Sequence, residues 1–128
     1  MKKNTNPNFQ KFSDWLDRLC QNTIFPDDAE AMCFNIYDDG EYYGVQLTCS
    51  NSFNFSNGDW DKNEVFSSGE DLCLIKKSED ISNFKLAEKF VTEYVKEYLC
   101  NGQFSAKLKA FKAIAIGFVD GDLFVVQI

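Results

Sequence analysis

The chain has 128 residues, is 45% hydrophobic with thirteen Phe, five Tyr and two Trp, and carries a formal net charge of −7. That is the length of one domain with enough apolar material for a core, and no apolar run approaches the roughly 18 residues that span a membrane. The absence of histidine excludes a Ser-His-Asp or Cys-His nucleophile system and removes the commonest metal ligand, while a single arginine, Arg18, argues against a phosphate or nucleic-acid site.

The first six residues, MKKNTN, are polar and are expected to be flexible. Their lysines are not followed by an apolar segment, so a secretory signal is not expected and the cytoplasm is the expected compartment. Pro7 then sits where a first helical turn tolerates proline. Phe9, Phe12, Leu16 and Leu19 follow at spacings of three and four, which predicts an amphipathic helix over residues 7 to 22. Trp15 lies beside that stripe and is expected at the edge of the core.

Phe25-Pro26-Asp27-Asp28 breaks the helix. Met32, Phe34 and Ile36 then alternate, Asp38-Asp39-Gly40 supplies turn residues, and Tyr43, Val45, Leu47 and Cys49 alternate on the way back. This predicts a β-hairpin. SNSFNFSNGDWDKN is loop-like. A short strand is expected near Glu64 to Ser67 and another over Leu72 to Lys77. Ser82 or Asn83 caps a second, long helix through about Leu99, with Phe84, Ala87, Val91, Tyr94, Val95 and Tyr98 as its apolar stripe. Asn101-Gly102 ends it, and Leu108 and Phe111 anchor the linking segment that follows. In AIAIGFVDGDLFVVQI, Asp120-Gly121 marks a tight turn between two interior strands. The order predicts one α+β domain with a largely antiparallel sheet, packed by the N-terminal helix and the long second helix.

Cys20, Cys33, Cys49, Cys73 and Cys100 are odd in number, widely spaced and without a C-x-x-C pair. Buried thiols in a reducing compartment are therefore expected, ahead of a disulfide framework or zinc site.

The charge is uneven. Residues 27 to 71 hold eleven acids (Asp27, Asp28, Glu30, Asp38, Asp39, Glu41, Asp59, Asp61, Glu64, Glu70, Asp71) against one base, Lys62. That segment is −10, while residues 1 to 26 sum to +2 and residues 76 to 112 to +3. Such a segment repels nucleic-acid phosphates and attracts cationic partners.

Three kinds of site compete for GDWDKNEVFSSGED, residues 58 to 71. A calcium loop matches at Asp59, Asp61, Asn63 and Glu70, but its sixth position needs Gly and holds Glu64, and no helical period precedes it. No metal or other cofactor is expected. Catalysis by paired carboxylates would use Asp38 with Asp39 or Asp120 with Asp122, but turn chemistry alone explains those residues, and no phosphate loop or nucleophile motif accompanies them. Recognition fits best: Trp60 between Asp59 and Asp61 is an aromatic anchor with acidic neighbours, unless the indole folds inward to pin the loop.

FNIYDDGEYYGVQLTCSNSF, DWDKNEVF and FKAIAIGFVDGDLFVV together span about residues 33 to 126. An FN-x-Y strand, an acidic loop around D-W leading to E-V-F, and a closing GFVDGDL hairpin resemble the immunity proteins of bacterial polymorphic and contact-dependent growth-inhibition toxin systems. The resemblance implies a non-enzymatic inhibitor, made in the producing cell, that binds and neutralises one cognate toxin; such toxins are often basic nucleases. The expected contacts are Asp38, Asp39, Glu41, Asp59, Trp60, Asp61 and Glu64, pairing with lysine or arginine of a protein partner, with no role for nucleic acid or membrane. A protein-binding adaptor without a toxin partner is the alternative.

Overall fold

The computed structural model describes residues 7–51, 64–79, 81–118 and 124–127. In chain order the elements are α1 (Pro7–Asn22), β1 (Ala31–Asp39), β2 (Tyr42–Ser50), β3 (Glu64–Ser67), β4 (Cys73–Lys76), α2 (Phe84–Asn101), α3 (Ser105–Lys109), β5 (Ala113–Phe118) and β6 (Phe124–Gln127). The fold is α+β, as the residue order predicts. No helix among the described residues is long and apolar enough to cross a membrane.

The sheet runs β3-β2-β1-β5-β6, and β4 pairs with β2 beyond β3 along the same edge. β1 and β2 form the expected hairpin, in register from Ala31 opposite Ser50 to Asp39 opposite Tyr42. β5 and β6 are antiparallel as expected, but β6 ends the strand order, so only β5 is interior. The sheet also contains one parallel pairing, in which Ala31 to Ile36 of β1 lie beside Ala113 to Phe118 of β5. A parallel neighbour needs a long crossover, here passing through α2 and α3.

Period-two alternation sends Met32, Phe34, Ile36, Val45, Leu47, Ile114 and Ile116 to one face, where each is fully buried. α1 and α2 cover that face. Phe12 lies 5.7 Å from Phe34 and 6.0 Å from Tyr94, joining helix, sheet and helix through aromatic contacts. Trp15 is more buried than expected, at 3% exposure, and its indole N–H donates to the Asp71 carbonyl at 3.1 Å. Asn83, one of the two expected caps, accepts from the Leu86 N–H at 3.0 Å at the start of α2. Tyr98 lies deep under α1, donating to Asp17 at 2.6 Å and accepting from the Phe104 N–H at 3.2 Å. Burial, then that bond to Asp17, holds its proton above the usual tyrosine range.

Residues 105–109, expected only as a linking segment, form the short helix α3. Its Lys107 donates to the carbonyls of Cys20 and Thr23 at 2.7 and 2.9 Å, closing the C-terminal end of α1, where a cation suits the unsatisfied carbonyls and the helix dipole.

Candidate interaction site at the tip of the first hairpin

The β1–β2 turn has two central residues, Gly40 and Glu41. Gly40 has φ of 67° and Glu41 does not share the positive φ, the pattern of a tight turn with glycine at its first central position. The turn is held from the side by β4, whose Lys76 to Cys73 pair with Tyr42 to Val45, and by the Lys77 N–H, which donates to the Glu41 carbonyl at 2.9 Å. The tip is therefore a fixed projection, with Asp38, Asp39 and Glu41 exposed on it.

Neighbouring strand residues face opposite ways. Asp38, opposite Tyr43, points to the helix-covered face, and Asp39, opposite Tyr42, points to the other face. These two carboxylates therefore do not converge as an acid-base pair would require. Asp38 accepts from Lys77 at 2.7 Å, and the same ammonium lies 4.7 Å from the Tyr43 ring centroid. That bond is the main cause of the raised Lys77 pKa.

Glu64, the first residue of β3, is exposed and lies opposite Ser50. Tyr42 and Ser50 are the two ends of β2, so at roughly 3.4 Å per residue the tip and Glu64 are about 27 Å apart. The structure thus brings Asp38, Asp39 and Glu41 together and places Glu64 at the opposite end of the sheet. Asp59, Trp60 and Asp61 lie outside the described residues, as do Asp120 and Asp122. Asn63 of the calcium pattern lies outside them too. Among the described residues no group of three His, Cys, Asp or Glu side chains could hold a metal ion.

Nine of the eleven acids of residues 27 to 71 are described. Three pair with bases from outside that segment: Asp38 with Lys77, Asp71 with Arg18 and Glu30 with Lys112, each at 2.7 Å. Asp28 accepts from Asn51 at 3.3 Å. Asp27, Asp39, Glu41, Glu64 and Glu70 make no ion pair among the described residues.

The sheet face away from the helices carries two short polar chains. Cys33 donates to Asn35 at 3.1 Å, and Asn35 donates to Thr48 at 3.0 Å. Tyr37 donates to Gln46 at 2.8 Å, and Gln46 donates to the Gly69 carbonyl at 2.9 Å. Burial first, then the charge of Glu64, raises the Tyr37 pKa. Ala31, Thr48, Ser50, Ala113 and Ala115 on this face are themselves buried, so its accessible part is the half near the tip.

The five thiols form no disulfide; Cys20, Cys49 and Cys73 are buried, Cys33 is half-buried and Cys100 is exposed. Burial pushes Cys20 up to about 11 and Cys49 and Cys73 up to about 12, which leaves these three inert as nucleophiles. A hollow of about 300 Å³ on α2 is lined by Lys85, Glu88, Lys89, Thr92, Glu93 and Lys96. Its lysines and glutamates interleave on a solvated helix surface and offer no convergent chemistry.

Sequence reasoning also misplaces Phe84. Phe84, assigned to the buried stripe of α2, is 57% exposed. Its ring meets Phe118 edge-on at 5.8 Å, and Phe118 meets Tyr43 edge-on at 5.8 Å. An aromatic row thus runs from an exposed phenylalanine to the tyrosine beneath the tip. The signal available in the sequence is position: Phe84 opens the helix, where the stripe has no preceding turn to pack beside it. Comparison of the chain with family models, curated proteins and solved structures returns no match.

Proposed function

We propose that this protein is a non-enzymatic immunity protein, acting in the cytoplasm, that neutralises a cation-rich protein toxin by binding it. The observation that carries the proposal is the fixed hairpin tip, where Asp39 and Glu41 are exposed and make no ion pair among the described residues. Such groups cost little to desolvate at an interface rim and accelerate encounter with a positive surface. On a nuclease-type toxin, that surface is the lysine and arginine lining used to hold nucleic acid, and occupying it denies the substrate its counter-charge. The resemblance to toxin-immunity sequences supports the same function.

The test is survival and affinity together. Where the gene beside this protein's own encodes a toxin domain, cells expressing that domain should grow only when the protein is co-expressed, and a neighbour without one counts against the proposal. Charge reversal by Asp39→Lys with Glu41→Lys should slow association about tenfold at about 50 mM salt, with the difference shrinking at about 500 mM as screening grows. Absence of protection by the wild-type protein defeats the proposal. Protection with salt-independent, unchanged association by the variant defeats the tip as the contact.

A further inference from the structure

On the sheet face away from the helices, strand register sets charge and apolar surface in rows. Asp39 of β1 lies opposite Tyr42 of β2, and Tyr42 lies opposite Lys76 of β4. Partners across a sheet project to the same side. Tyr43 and Ile75, the neighbours of Tyr42 and Lys76, are buried in the core, so Asp39, Tyr42 and Lys76 form one outward row. The next row is Tyr37, Gly44 and Leu74. The Leu72 side chain lies over Gly44, where a Cβ would come within 3.0 Å of its Cδ1. Leu74 is 38% exposed.

Adjacent strands are about 4.8 Å apart, so Asp39 and Lys76 stand about 10 Å apart with a tyrosine between them. Both are exposed, and neither makes an ion pair among the described residues. An unpaired acid and an unpaired base flanking apolar side chains fit a partner that carries a base and an acid at the same separation in reversed order. A second copy of this chain supplies that order. A twofold axis lying above β2 and parallel to it exchanges the β1 and β4 positions and keeps each row at its own level. Asp39 then meets Lys76 of the second copy, and Lys76 meets its Asp39. Tyr37 meets Leu74 of the second copy, while Tyr42 and Leu72 each meet their own counterparts.

Of the other charges at this end, Asp38 and Lys77 pair on the helix-covered face, and the Lys11 ammonium donates to the Leu74 carbonyl at 3.3 Å. Glu41 in the turn, and Glu64, whose charge reaches Tyr37, add repulsion between like-charged copies. Three strands of about five residues cover about 15 by 17 Å, less than a standard interface. Association is therefore weak, with a Kd on the order of 100 µM.

We infer that the outer face of β1, β2 and β4 near the hairpin tip is a self-association surface, on which two copies pack face to face with Asp39 and Lys76 exchanged between them. The inference goes beyond the neutralisation proposal and does not depend on it.

Sedimentation equilibrium of the full chain, at concentrations up to about 500 µM, tests it. The weight-average mass of the wild type should rise from 14.7 kDa towards twice that value. Asp39→Lys sets base against base in both contacts, and Lys76→Asp sets acid against acid, so each variant alone should associate at least fivefold more weakly. An equimolar mixture of the two variants restores both contacts and should associate as tightly as wild type. Recovery in the mixture also shows that both variants are folded, and an ion pair within one copy would not produce it. A wild type that stays monomeric, single variants that associate as well as wild type, or a mixture no tighter than its components each overturns the surface. The protein is measured alone, so the result is separate from the survival experiment.

Discussion

The two ends of the sheet treat their charged and aromatic residues in opposite ways. At the end where β1 begins, the aromatic rings and one of the carboxylates are consumed internally. Glu30 pairs with Lys112 through side chains at 2.7 Å and accepts the Lys112 N–H at 2.8 Å. Phe25 meets Phe66 and Phe111 edge-on at 5.3 and 5.6 Å, with the Lys107 ammonium 5.1 Å from its ring. The exceptions are Ile24, an aliphatic side chain that is 95% exposed, and the exposed carboxylates of Asp27 and Glu64, which make no ion pair among the described residues. At the tip end, only Asp38 has been drawn into an ion pair, while Asp39, Glu41 and Phe84 face solvent. Aromatic rings build structure at the first end, whereas at the other an aromatic and two carboxylates remain exposed on and beside one tight turn. That contrast, more than total charge, separates candidate contacts from structural groups.

The contrast breaks most visibly through Phe111, which is 9% exposed and closes the aromatic group around Phe25. Phe111→Ala should cost about 3–4 kcal/mol, read as a lower midpoint in urea, with no specific loss of partner binding by the folded fraction. Lys107→Ala removes two charged hydrogen bonds at the end of α1 and should cost about 2 kcal/mol; a similar cost for Lys107→Met would show that the ammonium, not the stem, matters.

The buried thiols lie under both ends and offer a smaller effect through pH. Cys49 and Cys73 titrate near 9.0 when unfolded and at about 12 when folded. Above pH 9.0 the unfolded chain releases these protons first, so their contribution is intact below that pH and declines towards about 12. Each thiol should cost on the order of 1 kcal/mol by about pH 10. Cys49→Ala should flatten the decline measured by denaturation across that range.

Smaller still is Phe84→Ala, expected to change stability by less than about 1 kcal/mol because the ring is largely exposed. Asp39→Lys with Glu41→Lys should fall within about 0.5 kcal/mol of wild type, with its effect confined to binding. A large loss of stability in either variant would erase the distinction between the two ends.

Much of this architecture was legible where the signal is local. The stripe from Phe9 to Leu19 located α1, and the alternation in Met32, Phe34 and Ile36 located β1 and its buried face. The parallel pairing of β1 with β5 had no such signal, because nothing in either run encodes a partner roughly 80 residues away in sequence. Phe84 was misassigned because helical period gives a direction around the axis and not the point where the sheet beneath stops. The site was legible in part. Turn residues identified the tip, but the Lys77 that engages Asp38 follows a strand with no apparent link to it, and Glu64 was grouped with residues that the length of β2 keeps apart.

The parallel pairing also governs when the molecule can become competent. β1 lies between β2, which is available almost at once, and β5, which ends at Phe118. During synthesis Met32, Phe34 and Ile36 remain open along one side until β5 has left the ribosome, and closing so long a loop is slow compared with forming a hairpin. A newly made copy must therefore pass through a partly zipped stage, and any task the finished sheet performs waits until residues 113–118 have been made.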